Sequence, residues 1–201
     1  MLRRKSFARF TARRCAFVLF ALLAACLLSA CGKSDRNGLH VNSPAAGDKD
    51  MTVKSSYAFG VTKTFTDIAG KMSTAGTYYV TVADYDLDPS FFGQTLNKPI
   101  PSEDHLRVVF SLVGDEGGNE KTPPKAGTYS AKADKFMKVE SVGIVTHKGG
   151  ADSTAWFDRS NTSGEVKVTS ASGDSISGDV DLTSGQQSIK GSFTAKVLIR
   201  K

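Results

Sequence analysis

Three aspartates at every second position, in Asp84-Tyr85-Asp86-Leu87-Asp88-Pro89, are the first residues of this 201-residue sequence whose type and spacing suggest chemistry. Oxygen ligands at i, i+2 and i+4 open calcium-binding loops. The sixth place of such a loop needs Gly for its sharp turn and here holds Pro89; the twelfth needs a bidentate acid and holds Thr95. The run therefore reads as a strand end whose polar face carries three carboxylates.

Imidazoles come next. Glu103-Asp104-His105 sets two carboxylates beside one ring, and His147 closes another extended run. Two histidines and a carboxylate can hold zinc, but no HxH or HExxH spacing forces them together. His40 stands in a polar stretch and reads as solvated. Serines are plentiful, yet neither a G-x-S-x-G elbow nor an S-x-x-K with its companions occurs, and GDSISG at 173–178 reads as a turn between strands. The sequence therefore assigns no catalytic residue, no metal ligand and no cofactor.

Aromatic side chains give the candidate binding residues. Phe91 and Phe92 follow a proline in a long loop, and Trp156 and Phe157 sit between Asp152 and Asp158. Both pairs are apolar without sheet periodicity, which marks them either as plugs of the core or as contacts for a partner.

The N-terminal residues carry an address. Residues 1–14 hold six basic side chains and no acid, and Cys15–Ala30 is an uncharged run of sixteen. A basic n-region, a short apolar stretch and small residues before a break describe a secretory signal peptide. At ~1.5 Å per residue the run reaches about 24 Å, short of the ~30 Å hydrocarbon core that a spanning helix must cross. Leu28-Ser29-Ala30-Cys31 resembles the lipobox of bacterial lipoproteins at each position. That resemblance covers the first 31 residues and implies cleavage before Cys31 and lipidation of its sulfur and amino group. By the same resemblance, Gly32 in place of Asp after the cysteine favours the outer membrane with the domain facing the periplasm, the inner membrane and the cell surface being the alternatives. Arg13-Arg14 also resembles part of a twin-arginine export signal, with Ala16 where a bulky apolar residue belongs.

Cleavage there would alter the charge. Six of the 26 Lys and Arg precede Cys31 and all 20 acidic residues follow it, so the remainder balances 20 against 20. The excess of +6 thus gives no argument for nucleic acid. Cys15 and Cys26 would leave with the leader and Cys31 would carry lipid, so the domain has no thiol for a disulfide, a catalytic nucleophile or a zinc site. Its stability must come from packing and sheet hydrogen bonds.

The elements that must position these residues read as strands. Residues 1–30 are expected as leader, 31–50 as a flexible tether (polar, with Gly and Pro) and 51–201 as one β domain. Within it, Met51–Thr62, Tyr78–Val82, Leu106–Leu112 and Phe136–His147 show period two or β-branched enrichment. GEVKVTSA, DSISGDVDL and SIKGSFTAKVLI follow as three runs with short turns. The latter two share S-I-x-G-x-(V/F), as adjacent strands of a meander would, with a glycine where a packed face lacks a side chain. The best helical stretch, Lys63–Met72, is broken by Gly70. Two long loops, at 86–104 and 114–127, separate the runs. The fold class is all-β, an antiparallel sandwich or barrel of seven to ten strands. The function expected is a lipid-anchored, non-enzymatic envelope module that binds another envelope protein. The alternative is a carrier of a small apolar ligand inside a barrel, and a hydrolase ranks third.

Overall fold

The computed structural model describes residues 37–89 and 98–198. The expected leader, Cys31, Phe91 and Phe92 lie outside the described residues.

Eleven strands occur in chain order: β1 Gly38–Ser43, β2 Gly47–Thr52, β3 Ser55–Thr66, β4 Met72–Ala83, β5 Leu106–Val113, β6 Gly127–Ser130, β7 Lys138–Lys148, β8 Ala151–Trp156, β9 Ser163–Ala171, β10 Ser175–Ser184 and β11 Gln187–Leu198. No helix occurs among the described residues. The all-β expectation holds, and the choice between sandwich and barrel resolves to a barrel. Eight strands close it in the order β3-β4-β5-β7-β6-β9-β10-β11. Closure comes from Lys196–Leu198 of β11 running parallel to Tyr57–Phe59 of β3. A second parallel contact, Ser130 beside Lys138, joins β6 to β7, and every other pairing is antiparallel.

Three strands stand outside the ring. β1 pairs with Ser188–Ser192, the first half of β11, and carries β2 on its far side. β8 pairs with Gly143–Lys148 of β7. The β1–β2 hairpin corrects the expected tether: residues 38–43 and 47–50 are sheet. Leu39 and Val41 alternate with His40 and Asn42, and together with Met51 they are buried in the main core. The apolar positions are few because the hairpin buries one face only, and its turn around Pro44 supplied the loop-like composition.

Period two fills the lumen. Val80 and Val82 of β4, Val108, Phe110 and Leu112 of β5, Ile144 of β7, Val166 and Val168 of β9, Ile176 and Leu182 of β10, and Ile189 and Phe193 of β11 are all buried together. Tyr129 of β6 is fully buried among them and donates its hydroxyl to the Lys125 carbonyl at 2.9 Å. Phe110 and Phe193 meet edge to face, 5.2 Å between centroids at 79°. Eight strands leave an interior just wide enough for side chains to fill, and these residues fill it.

The two long loops pack on the barrel. Residues 114–126 fold over one end, where Gly117 donates its N–H to the Thr74 carbonyl and Glu120 to the Thr62 hydroxyl. Beneath them burial pushes the Tyr78 hydroxyl up to about 12. From the other loop, Tyr85, Leu87 and Ile100 form a second core with Ala83 and Val145 on the outside of the sheet. Lys63–Met72 is the end of β3, the turn at 67–71 and the first residue of β4; Asp67 accepts from the Ala69 and Lys71 N–H groups in that turn. The S-I-x-G pair lies on adjacent strands as expected, in a β9–β10–β11 meander. Gly178 sits at a bulge, where a Cβ would come 2.5 Å from the Lys167 carbonyl oxygen.

Candidate functional site

The outer face of β3, β4, β5, β7 and β8 carries a groove, and strand register dictates its contents. Because side chains alternate between lumen and exterior, Tyr57 and Phe59, Tyr79 and Thr81, Arg107 and Val109, Ser141 and Val145, and Asp152, Thr154 and Trp156 share that face. Phe59 lies opposite Tyr79 and Tyr57 opposite Thr81. Thr81 lies opposite Val109, Val109 opposite Gly143, and Gly143 opposite Trp156. One row therefore runs Tyr57-Thr81-Val109-Gly143-Trp156 across five strands.

Gly143 makes the floor. A Cβ there would meet the Trp156 ring at 2.9 Å, so the indole lies flat over a position that only hydrogen can occupy. Phe59 and Tyr79 stack on the other side, 5.1 Å between centroids at 19°. The groove between them encloses about 420 Å³ and includes Val109, Val145, Arg107 and Asp152 in its lining. Trp156 is 59% exposed and Tyr79 39%. Large apolar side chains this open, gathered on one face, are the feature of this barrel that calls for a functional account.

A polar cluster closes one end. The Arg107 side chain is only 5% exposed, with Nη2 at 3.8 Å from the Asp152 carboxylate. Its Nη1 donates to the Tyr85 hydroxyl and to the Lys98 carbonyl, each at 3.0 Å. Asp152 also accepts the Ile100 N–H at 3.1 Å and faces His147 Nδ1 at 2.7 Å. Burial raises the Tyr85 hydroxyl above its ordinary value, and the Arg107 charge partly offsets this. These bonds fasten Tyr85–Leu87 and Lys98–Ile100 to the sheet. Arg107 is thereby consumed as an anchor, and contact with a bound molecule falls to the rings.

The other residues singled out in the sequence disperse. Asp84 accepts from the Leu106 N–H at 3.1 Å and faces His105 Nδ1 at 3.2 Å, whereas Asp86 pairs with Lys54 at 3.0 Å. The three alternating aspartates do not converge, and no group of three or more His, Cys, Asp or Glu able to hold a metal occurs among the described residues. His105 and His147 line one small cleft of about 190 Å³ with Glu103, yet each ring is turned to its own aspartate. His40 lies on β1 between Asp48 and Asp50, and the Asp50 hydrogen bond raises its pKa.

Trp156 and Phe157, read as one unit in the sequence, are split by the strand. Trp156 points into the groove, while Phe157 is 6% exposed and packs in the barrel core. Phe157 is thus withdrawn from the binding surface: adjacent residues of a strand face opposite sides. Phe59 and Tyr79 were missed because their apolar period resembles that of a core-facing strand. A signal existed. On β3 the alternate positions are Ser56, Ala58 and Gly60, too small to be the only packed face, and Tyr78-Tyr79 places large side chains on both faces of β4.

No protein-family model, no curated protein and no solved structure matches this chain.

Proposed function

We propose that this protein is a lipid-anchored component of the bacterial envelope whose barrel is a non-catalytic binding module, with the outer groove as its contact surface and another envelope protein as its partner. The observation that carries this reading is the contrast between a lumen filled by its own side chains and an open aromatic groove outside. What supports it is that the lumen-facing side chains form one buried cluster, while Trp156 and Tyr79 stand exposed outside. Rigid aromatic side chains at an open, well-supported position are what protein partners use as anchors, because they give large contact area at small entropic cost.

The anchor is the lipid expected on Cys31, outside the described residues. Anchoring in the membrane raises the effective concentration for partners in the same layer, so a modest groove affinity suffices.

A second reading is favoured by the groove's size. About 420 Å³ lies within the range of small-molecule sites, so an apolar ligand seated on Trp156 and Tyr79 is the alternative, now outside the barrel. One experiment separates the two. The photoreactive residue benzoylphenylalanine, placed at Tyr79 of the full-length protein in intact cells, is expected to give a discrete protein adduct that weakens when Trp156→Ala is added. Absence of any protein adduct, together with a bound small-molecule mass in native mass spectrometry, would overturn the protein-partner reading.

A further inference from the structure

The branched strand β8 ends the sheet on one side, and its far edge has no strand beside it among the described residues. The ladder parity shows which groups are open. Phe157 donates its N–H to the Val142 carbonyl, and hydrogen-bonded pairs recur at every second residue of an antiparallel ladder. Ala151, Ser153 and Ala155 therefore turn their backbone groups toward β7, while Asp152, Thr154 and Trp156 turn theirs outward. No backbone group of these three residues has a partner among the described residues. Three outward N–H and C=O pairs in a row are a template for another strand.

The opposite margin of the sheet is guarded. β2 presents Asp48, Lys49 and Asp50 in succession, the consecutive charges that natural sheets use to repel edge pairing. β8 has the composition Ala-Asp-Ser-Thr-Ala-Trp. Its one charge, Asp152, is drawn back into the sheet by Arg107, His147 and Ile100. On its reverse face stand Ala151, Ser153 and Ala155, small enough for a neighbouring strand to approach without collision. An unguarded edge next to an exposed tryptophan is a surface arranged for company.

We infer that two copies of this chain pair antiparallel through β8, on a two-fold axis through Thr154. This goes beyond the groove reading and stands independently of it. In that register Thr154 meets its own copy and Asp152 meets the partner's Trp156 at both ends, so all three open pairs are used on each strand. Thr beside Thr is a favourable cross-strand pair. The interface is isologous and closes at two, and it joins the two outer faces into one continuous sheet with a groove on each side. The guarded β2 edge stops further growth.

The test uses the full-length protein solubilised in detergent, with mass measured by light scattering. A dimer is expected for the wild type. Thr154→Pro should convert it to monomer with little change in melting temperature, because the lost N–H faces away from β7 and an edge tolerates proline there. Thr154→Cys should be linked to its copy in membranes by a short bis-maleimide, while wild type and Lys49→Cys on the guarded edge should not. A monomeric wild type, or a dimer that survives Thr154→Pro and fails to crosslink at position 154, would overturn the inference. A crosslink from position 154 to a different protein alone would overturn it too, by assigning the edge to a heterologous strand. The adduct at Tyr79 reads the aromatic side chains of the groove, whereas Thr154→Pro reads the backbone edge of β8, so either proposal can fail alone.

Discussion

Phe110 and Phe193 meet inside the barrel at 5.2 Å, and Phe59 and Tyr79 meet outside it at 5.1 Å. The side chains are of one chemical kind and the spacings nearly equal, yet the first pair is sealed while Tyr79 of the second is 39% exposed. Parity alone makes the difference. A residue on β4 or β5 faces the lumen or the exterior according to whether its number is even or odd, and Tyr78-Tyr79 carries one ring to each side. The lumen pair is held by neighbours on every side. The outer pair has a floor of sheet, and Tyr79 keeps that part of its surface exposed. Burial stabilises the first, and availability defines the second.

If this comparison is right, truncation inside should cost far more than truncation outside. Phe193→Ala removes a ring that is 1% exposed and touches Phe110. The expected loss is about 3–5 kcal/mol, transfer and cavity terms together, read as a fall in the urea midpoint. With no disulfide available to the domain, a loss of this size consumes much of the roughly 5–15 kcal/mol that a domain has in total.

The polar end of the groove should fall between these extremes. Arg107→Met keeps most of the side-chain volume but removes both Nη1 hydrogen bonds and the partner of Asp152. Asp152 retains His147 and the Ile100 N–H and its side chain is 22% exposed, so water softens the loss. Roughly 2–3 kcal/mol is expected. Hydrogen exchange should show the damage concentrated at Leu87 and Ile100, whose segments Arg107 and Asp152 fasten. Damage spread evenly over the barrel would show that the cluster belongs to the core and would blur the comparison.

The same parity explains what could be read in the sequence. Strands β9 to β11 were legible because one face is buried and one is wet: Ile189, Phe193 and Ala195 against Lys190, Thr194 and Lys196. β5 and β7 were legible from β-branched density. β8 was not, since Ala151-Asp152-Ser153-Thr154-Ala155 contains no large apolar residue and exists as a strand only because β7 offers an edge. β1 and β2 were hidden for a related reason: three buried apolar residues, Leu39, Val41 and Met51, carry the whole hairpin. Barrel closure rests on three parallel pairs between β11 and β3, a contact between chain segments over a hundred residues apart that no local pattern encodes. As for the site, Trp156 stood out because it breaks periodicity, whereas Phe59 and Tyr79 were concealed by obeying it.

Trp156→Ala is the smallest expected effect on stability and the sharpest test of the comparison. The indole is 59% exposed and rests on Gly143. Counting only the area it removes from water at ~25 cal/mol per Å², truncation should cost under about 1 kcal/mol, and surface changes commonly cost less. Trp156 is the sole tryptophan of the chain, so fluorescence of the wild type reports this site alone. It should emit as a solvent-exposed indole, be readily quenched by acrylamide, and shift to the blue when the groove is occupied. A blue-shifted, quencher-resistant signal from the isolated wild-type protein, with a loss near that of Phe193→Ala, would mean that the outer rings are core after all. An exposed signal and a near-neutral loss, joined to a lost partner adduct, would mean that this ring is kept for what it contacts and not for what it holds together.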